Sequence, residues 1–415
     1  MDLIELRRNL LVLGMSLDFT LRDERGAILL AKGHRIDNMQ QLEGLRSRKK
    51  IFVEIDESEE GLRAMMEGIT TLNNLGAPIK DFSKHLKLTI TDPNAPKMTG
   101  PLSERWGEVE SKLAGLLASV STTTDFEKKV QQLDVYIQAL LNENSSASQF
   151  LLFNRAVTHF NGYSVMHSLL CAALVHLLAP IFALAEEERR SLVCAALTMN
   201  VAMTRLQDML AVQKSEPNAV QRSEIDSHSA AGKQILVDAK VSDEQWLEVV
   251  AQHHARLEGP EALAEWPPLQ RMTKILQTVD RYTAAMSPRK SRSGRTARDS
   301  VLSVVMKPGV TKHDEVGTAL VRILGVSPPG TYVKLVNGET AVVIRRGVKP
   351  NEPLVASVLN RNNEPIAEPR LHDTSREKLT IQNTLVASEV RVNFKLEAMV
   401  RLIPKTLTPP PPAAA

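Results

Sequence analysis

Residues 250–256 read VAQHHAR and place two adjacent histidines, His253 and His254, within a pattern that has helical spacing. Neighbouring residues on a helix point about 100° apart. The two imidazoles can then serve two metal ions, or one metal ion and one substrate phosphate, but not one face of the same tetrahedral site. Taken alone, such a pair is more often part of a solvated helix surface. The features on either side of the pair decide between these interpretations.

Further landmarks surround the pair in a definite order. They are MHS at residues 166–168, a helical pattern at 187–197, IDSHSAAG at 225–232 and ILQTVDRY at 275–282. With this order, residues 155–344 resemble the HD-GYP family of bacterial metal-dependent phosphohydrolases, whose members hydrolyse cyclic di-GMP. Residues 325–343 also look like the region that follows the domain in many relatives. The resemblance implies a helical domain that holds more than one metal ion.

Departures from the family pattern determine the activity that we expect. Where the family carries its His-Asp pair and, further on, a lysine, this chain has Met199, Asn200 and Met203. The family's aspartate bridges two cations, whereas Asn200 is neutral and Met199 offers a thioether that hard cations avoid. The Gly-Tyr-Pro tripeptide is also missing after residue 259. We therefore expect a degenerate site without efficient phosphodiester hydrolysis.

The resemblance leaves His228, His253, His254 and Asp280 as residual metal ligands. Three imidazoles and a carboxylate suit iron, manganese or zinc, so we expect either no cofactor or one weakly bound divalent metal. Structural explanations remain open beside this one. A polar helix end explains His228, and a buried Asp280 needs a partner, which His254 would supply without any metal.

Residues 289–298 contain five cations and no acid. Arg289 and Arg292 match the family's Arg-x-Tyr-Arg pattern, with Ser291 in place of the tyrosine, and arginines there can fork onto phosphate oxygens. A solvated basic loop explains the segment equally well. Since no aromatic residue interleaves these cations, nucleic acid is not an expected partner. The expected partners are cyclic di-GMP or a signalling protein.

An apolar stretch from Ser168 to Ala185 reaches the lower length limit for a membrane span. Pro180 would break such a helix, and basic residues are absent from its flanks before Arg189. We therefore expect a buried core helix and no membrane span. His176 and His167 lie in or beside this stretch, where a histidine is more often a hydrogen-bonded core residue than a ligand.

Composition excludes several classes of protein. The chain has 415 residues, 51 Lys+Arg against 48 Asp+Glu and a net charge of +3, which is not the composition of a polycation that coats nucleic acid. Its two cysteines, Cys171 and Cys194, cannot form a disulfide framework or a thiolate cluster for structural zinc. The amino terminus does not read as a secretory signal. A cytoplasmic location is the expected one.

The predicted fold class is mainly α, an HD-type helical bundle with small β modules at both termini. Alternation of Leu17, Phe19 and Leu21 before the turn Asp23–Gly26 predicts a hairpin, and Asn337-Gly338 predicts a type I′ hairpin. Thr124 and Glu127 have capping-box spacing. The predicted segments are a β module at 1–60, a linker and helical segment at 61–150, the degenerate HD-GYP-like domain at 151–326, a β module at 327–404 and a Pro/Ala-rich tail at 405–415.

Two functional interpretations from different classes follow. The first is a regulatory or binding protein that keeps the fold, binds a cyclic dinucleotide or a partner protein, and does not hydrolyse it efficiently. The alternative is a metal-dependent cyclic di-GMP phosphodiesterase with an altered metal site. The first interpretation is favoured because Met199, Asn200 and Met203 replace the histidine, aspartate and lysine of the family pattern.

Overall fold

The computed structural model describes residues 3–6, 11, 17, 20–24, 26–31, 34, 36–48, 50–54, 99–159, 161–260, 262–290, 296, 298–300, 314–376 and 379–403. The chain divides into two compact units, residues 1–98 and residues 99–415. The predicted phosphate-binding Arg292, most of the predicted linker and the tail at 405–415 lie outside the described residues. The segment limits proposed from composition stay predictions.

The first unit contains a small antiparallel sheet. Its elements are β1 (Leu3–Leu6), β2 (Leu21–Arg22), β3 (Ile28–Leu30), α1 (Met39–Arg46) and β4 (Ile51–Glu54), and the strand order is β1-β4-β2-β3. The predicted hairpin joins β2 to β3, and Gly26 adopts a φ of +81° in its turn, where its N–H donates to the Asp23 carbonyl at 2.9 Å. Phe19, which was part of that prediction, lies outside the described residues.

The second unit begins with a helical domain. Its helices are α2 (Leu102–Ala118), α3 (Phe126–Glu143), α4 (Ser145–Thr158), α5 (Tyr163–Leu178), α6 (Glu186–Thr198), α7 (Thr204–Val212), α8 (Ala219–Asp238), α9 (Glu244–Gln252), α10 (Pro268–Met286) and α11 (Glu315–Leu324). With the small sheets towards both ends of the chain, the predicted mainly α fold class is confirmed. Helix α5 packs against α6 and α10, and α9 packs against α6, α8 and α10. These packed helices position the candidate site.

The first part of the apolar stretch, residues 168–178, forms a core helix as predicted, whereas residues 179–185 lie outside that helix. Nearly every residue of α5 is buried, and the helix ends at Leu178, two residues before Pro180, which cannot continue it. None of the helices among the described residues is long and apolar enough to cross a membrane.

The predicted capping box is wrong. Helix α3 starts at Phe126, and the preceding Asp125 adopts a left-handed conformation with φ +52° and makes no capping hydrogen bond with its side chain. The Glu127 carboxylate instead accepts hydrogen bonds from the backbone N–H and the hydroxyl of Ser242, at 2.8 and 2.9 Å. The Glu127 carboxylate, which a capping box would use, is therefore bonded to the segment before α9 instead.

A five-stranded antiparallel sheet follows the helical domain. Its strands are β5 (Tyr332–Leu335), β6 (Thr340–Arg345), β7 (Leu354–Leu359), β8 (Pro365–Asp373) and β9 (Ile381–Leu385), in the order β8-β7-β6-β5-β9, and helix α12 (Leu396–Arg401) comes last. The sheet contacts α4 at Gly330, where an added Cβ would lie 2.4 Å from the Asn154 nitrogen, so only glycine fits this approach.

The hairpin between β5 and β6 forms, but the predicted type I′ turn is wrong. Gly338 has φ +84°, whereas Asn337 is not in the positive-φ region that this turn type requires. Leu335 donates to the Glu339 carbonyl and accepts from the Gly338 N–H, both at 2.9 Å. This pattern is a three-residue hairpin loop whose last residue, Gly338, is left-handed. Asn337 and Gly338 are therefore the second and third residues of the loop, and not the two central residues of a type I′ turn.

Candidate metal and phosphate site

Two buried histidines, one on a helix and one in the turn after another helix, face each other at the centre of the site. His228 of α8 contacts the Ile225 carbonyl through Nδ1, and Nδ1 of His253 contacts the Val250 carbonyl at 2.6 Å. Because a carbonyl oxygen only accepts, each Nδ1 carries the ring proton and each Nε2 carries a lone pair. The two Nε2 atoms lie 3.1 Å apart. Two neutral rings in these tautomers therefore point their lone pairs at one another.

A cation between the two nitrogens relieves this arrangement. Burial, together with the neighbouring His254, lowers the pKa of His253 to about 4, and burial also lowers the pKa of His228, so a proton is not favoured there at neutral pH. Two imidazole ligands of a tetrahedral metal ion are separated by about 3.3 Å. The observed separation of 3.1 Å fits a pair of ligands to one divalent ion.

His254 joins the same cluster, although helical geometry would have separated its side chain from that of His253. Helix α9 ends at Gln252, so His253 and His254 lie in the turn that follows and not on a helix. Ligand atoms of His228, His253 and His254 all lie within 4.8 Å of one another. The prediction that adjacent histidines cannot share one site is wrong because it assumed helical geometry at both positions.

Asp280 is not the fourth member of this cluster. No carboxylate oxygen within the described residues lies within 4.8 Å of all three imidazoles. Asp280 Oδ1 instead accepts from His167 Nε2 at 2.8 Å. Burial alone would raise the pKa of Asp280, but the hydrogen bond and charge of His167 lower it to about 2. The partner of this half-buried carboxylate is therefore His167 and not His254.

Stacked rings hold His167 in place. The Tyr163 ring lies nearly parallel to that of His167, at 11° and a centroid separation of 5.8 Å. The Arg289 guanidinium lies 5.0 Å from the centroid of the Tyr163 ring, and its Nη2 donates to the Tyr163 hydroxyl at 2.9 Å. Arg289, which the sequence suggested for phosphate binding, thus has a protein partner. His167 has the hydrogen-bonded core position that its sequence context suggested.

The three substituted positions are well inside the helical domain. Met199 is fully buried and Met203 is half-buried, in the short turn between α6 and α7. Asn200 is also buried, and its Oδ1 has no hydrogen-bond partner among the described residues. Nearby, the carbonyl oxygen of Met199 faces α8 at Gly232. A neutral thioether and an unsatisfied amide oxygen thus occupy positions where the resemblance implies an imidazole and a bridging carboxylate.

His176 lies apart from this site. Its Nε2 is 2.8 Å from Asp134 Oδ1, and Arg189 binds the same carboxylate in bidentate fashion at 2.6 and 2.8 Å. This buried group joins α3, α5 and α6, so the expectation of a hydrogen-bonded core histidine is confirmed.

A cavity of about 270 Å³ opens beside the histidine cluster. Its polar lining comes from His253, His254, Arg256, Lys274, Gln277, Asp280 and Arg281. Lys274, Gln277 and Arg281 recur at steps of three and four along α10 and so share one face. Sequence reasoning did not single them out, although this spacing on the helix that carries Asp280 was a usable signal.

Two cations of the cavity are partly neutralised. Asp314 Oδ2 lies 3.3 Å from Lys274 and 3.6 Å from Arg281. Gln277 donates to the Ala255 carbonyl at 2.8 Å and so fastens the turn that carries the His253-His254 pair to α10. Imidazoles, an ammonium and a guanidinium around one cavity favour an anionic ligand such as a phosphate ester.

The neutral histidine pair predicts a pH dependence for the metal-free protein. His253 has a pKa of about 4 when folded and about 6.5 when unfolded, so the unfolded chain binds more protons between these values. Stability should therefore fall as the pH drops from about 6.5 to 4, by about 3 kcal/mol from this group. Denaturant unfolding at the two pH values, with a chelator present, measures this loss.

His253→Gln should remove most of that pH dependence, because glutamine does not titrate. His159→Gln is the matched control, since His159 is exposed at the end of α4. An unchanged slope in His253→Gln would contradict the assignment of a neutral imidazole to this position.

Comparisons with known proteins find one solved structure. Neither the protein-family models nor the curated proteins include a match. The structural match is to Bd1817, described as an HDG"Y"P protein from Bdellovibrio bacteriovorus, with 13% sequence identity and a TM-score of 0.41, covering 78% of this chain and 99% of that one. That protein carries the name of the family whose motifs this sequence resembles. The side chains described above, and not this similarity, carry the proposals that follow.

Proposed function

We propose that this chain is a catalytically degenerate, cytoplasmic HD-GYP-like signalling protein that binds a phosphate-containing ligand, cyclic di-GMP being the first candidate, without hydrolysing it efficiently. The observation that carries the proposal is the state of the two carboxylate positions. Asp280 is paired with His167, and Asn200 presents a neutral amide where the family pattern has an aspartate. Without a carboxylate at position 200, a bridged pair of metal ions would lack the acid that the resemblance places between the two cations.

The remaining residues fit a single divalent ion. His228 and His253, with His254 beside them, would hold iron, manganese or zinc, and the bound ion would supply positive charge to a phosphate oxygen. Lys274 and Arg281 would add cationic hydrogen-bond donors from the cavity wall. These groups serve binding and orientation. They do not replace the second cation that activates a bridging water in a dinuclear phosphohydrolase.

The facing Nε2 atoms of His228 and His253 favour one alternative, a metal-dependent phosphodiesterase with an altered, mononuclear site. One bound ion can lower the pKa of a water ligand and so generate a nucleophile. This alternative requires turnover, whereas the binding function requires only occupancy.

Binding and turnover measured together separate the two functions. We expect isothermal titration to detect cyclic di-GMP binding in the presence of manganese, with no release of linear product over the same period. Bis(p-nitrophenyl) phosphate should likewise remain intact. Lys274→Gln with Arg281→Gln should weaken binding at least about tenfold, because each removed charge-assisted contact contributes about 1.5 kcal/mol or more.

Arg190→Gln is the matched control, since Arg190 is an exposed arginine that does not line the cavity. Turnover that is lost in His253→Ala would overturn the binding proposal in favour of the enzyme. Absence of binding heat at high micromolar cyclic di-GMP, with and without manganese, would exclude cyclic di-GMP as the ligand.

A further inference from the structure

An acidic side chain lies behind the cationic wall of the cavity. Asp314 Oδ2 lies 3.3 Å from Lys274 Nζ and 3.6 Å from Arg281 Nη2, so it faces both cations of the same face of α10. The side chain of Asp314 is 5% exposed, against 18% for Lys274 and 44% for Arg281. Both cations line the cavity, whereas Asp314 is not part of its lining. A ligand in the cavity therefore contacts the cations, and Asp314 acts on it through charge.

Local hydrogen bonds fix the Asp314 carboxylate in place. Asp314 is the N-cap of α11, and its Oδ1 accepts from the backbone N–H groups of Val316 and Gly317 at 3.1 and 3.2 Å. Its Oδ2 has no hydrogen-bond partner among the described residues, so Lys274 and Arg281 are the groups that compensate its charge. A counter-ion from solvent would exchange with an arriving ligand. This carboxylate is part of the chain and stays beside the two cations.

A fixed negative charge penalises ligands in proportion to their own negative charge. A phosphodiester carries one negative charge, whereas a phosphomonoester carries about 1.5 to 2 at pH 7. Asp280 also lines the cavity, but its charge is compensated by His167. We infer that Asp314 is a specificity-determining residue, which makes the cavity favour a phosphodiester over a phosphomonoester. This inference rests on the proposed binding of a phosphate-containing ligand and adds the residue that selects its charge.

Coulomb's law gives the size of the expected effect. With screening as strong as in water and a separation of about 6 Å, Asp314 weakens binding about threefold for each negative charge on the ligand. The repulsion energy doubles for a doubly charged ligand, so the weakening becomes about tenfold. Asp314→Asn should therefore strengthen phosphodiester binding about threefold and phosphomonoester binding about tenfold. Asparagine has nearly the size of aspartate and keeps an oxygen that can cap α11.

Guanosine monophosphate and cyclic GMP are a matched pair of probes, because they share a base and a sugar and differ in the charge of the phosphate. Isothermal titration with manganese, at about pH 8 and so above the second pKa of a monoester, about 6, measures both affinities. We expect Asp314→Asn to raise the affinity for guanosine monophosphate about three times more than that for cyclic GMP. Glu315→Gln is the matched control, since Glu315 is an exposed acid in the same turn whose carboxylate accepts from the Leu263 N–H at 2.9 Å. It should leave the ratio of the two affinities unchanged.

The ratio of the two affinities separates charge selection from a purely structural role, because a helix cap alone would affect both nucleotides alike. Should Asp314→Asn fail to fold, as judged by circular dichroism, Asp314→Ser replaces it, since serine is also neutral and a good N-cap. Absence of cyclic di-GMP binding would exclude that ligand of the proposed function, while the ratio for the two mononucleotides is still measured. A ratio that stays unchanged in the neutral variant, or a lack of binding of both mononucleotides to every variant, would overturn the inference.

Discussion

Arg189→Ala is expected to lower the free energy of unfolding by about 3–5 kcal/mol, because it leaves a buried carboxylate without its cation. Asp134 is 1% exposed, and its carboxylate accepts hydrogen bonds from both terminal nitrogens of Arg189, at 2.6 and 2.8 Å. Burial raises the pKa of Asp134 and the bonds from Arg189 and His176 lower it, with a net lowering. The carboxylate is thus ionised in the folded protein and depends on its partners.

The substitution should weaken the packing of three helices, because the buried group connects them. Arg189 of α6 also binds Glu186 at 2.7 Å, while Asp134 lies on α3 and His176 on α5. Chemical denaturation followed by circular dichroism measures the change at pH 7. Arg190→Ala is the matched control, since the neighbouring Arg190 is exposed, and it should change stability by less than about 0.5 kcal/mol. Equal effects of the two substitutions would contradict the importance of the buried pair.

The second large effect is expected from restoring a carboxylate in the turn between α6 and α7. In Met199→His with Asn200→Asp, the new aspartate should be destabilising by about 3 kcal/mol without metal, because it would be a buried charge with no cation. Asn200 is 4% exposed, and its Oδ1 already lacks a partner among the described residues. Manganese should reverse the loss if the new side chains reach the ion held by the histidine cluster.

The stabilisation expected from manganese depends on how tightly the folded double variant binds it. A ligand at about one hundred times its dissociation constant stabilises the folded state by about 2.7 kcal/mol. We expect a manganese-dependent rise in melting temperature several degrees larger in the double variant than in the wild-type protein. Asn200→Ala with Met199→His is the control, since it lacks the carboxylate. If manganese does not change the melting temperature of the double variant, residues 199 and 200 do not face the histidine cluster.

Local patterns were sufficient for much of the fold. The apolar run that forms α5, the helical pattern that forms α6 and the turn at Gly26 depend on neighbours within a few residues, and the structure contains all three. Local signals failed where a distant partner competed. The Glu127 carboxylate bonds Ser242, 115 residues away, so the capping box that its spacing predicted does not form.

The candidate site divides in the same way. Sequence motifs identified the histidines and Asp280 as chemically important, but they grouped four residues that the structure separates into two clusters. Neither the end of α9 at Gln252, which brings His253 and His254 to one site, nor the pairing of Asp280 with His167 has a local signature.

By itself, the sequence indicated which segments are helical, and it determined that an imidazole and a carboxylate are absent at positions 199 and 200. Only the tertiary structure decided that Asp280 pairs with His167, and that the lone pairs of His228 and His253 face each other. The physical reason is that apolar periodicity is a property of neighbouring residues. The partner of a buried charge depends instead on which helices pack together, and packing is a property of the whole chain.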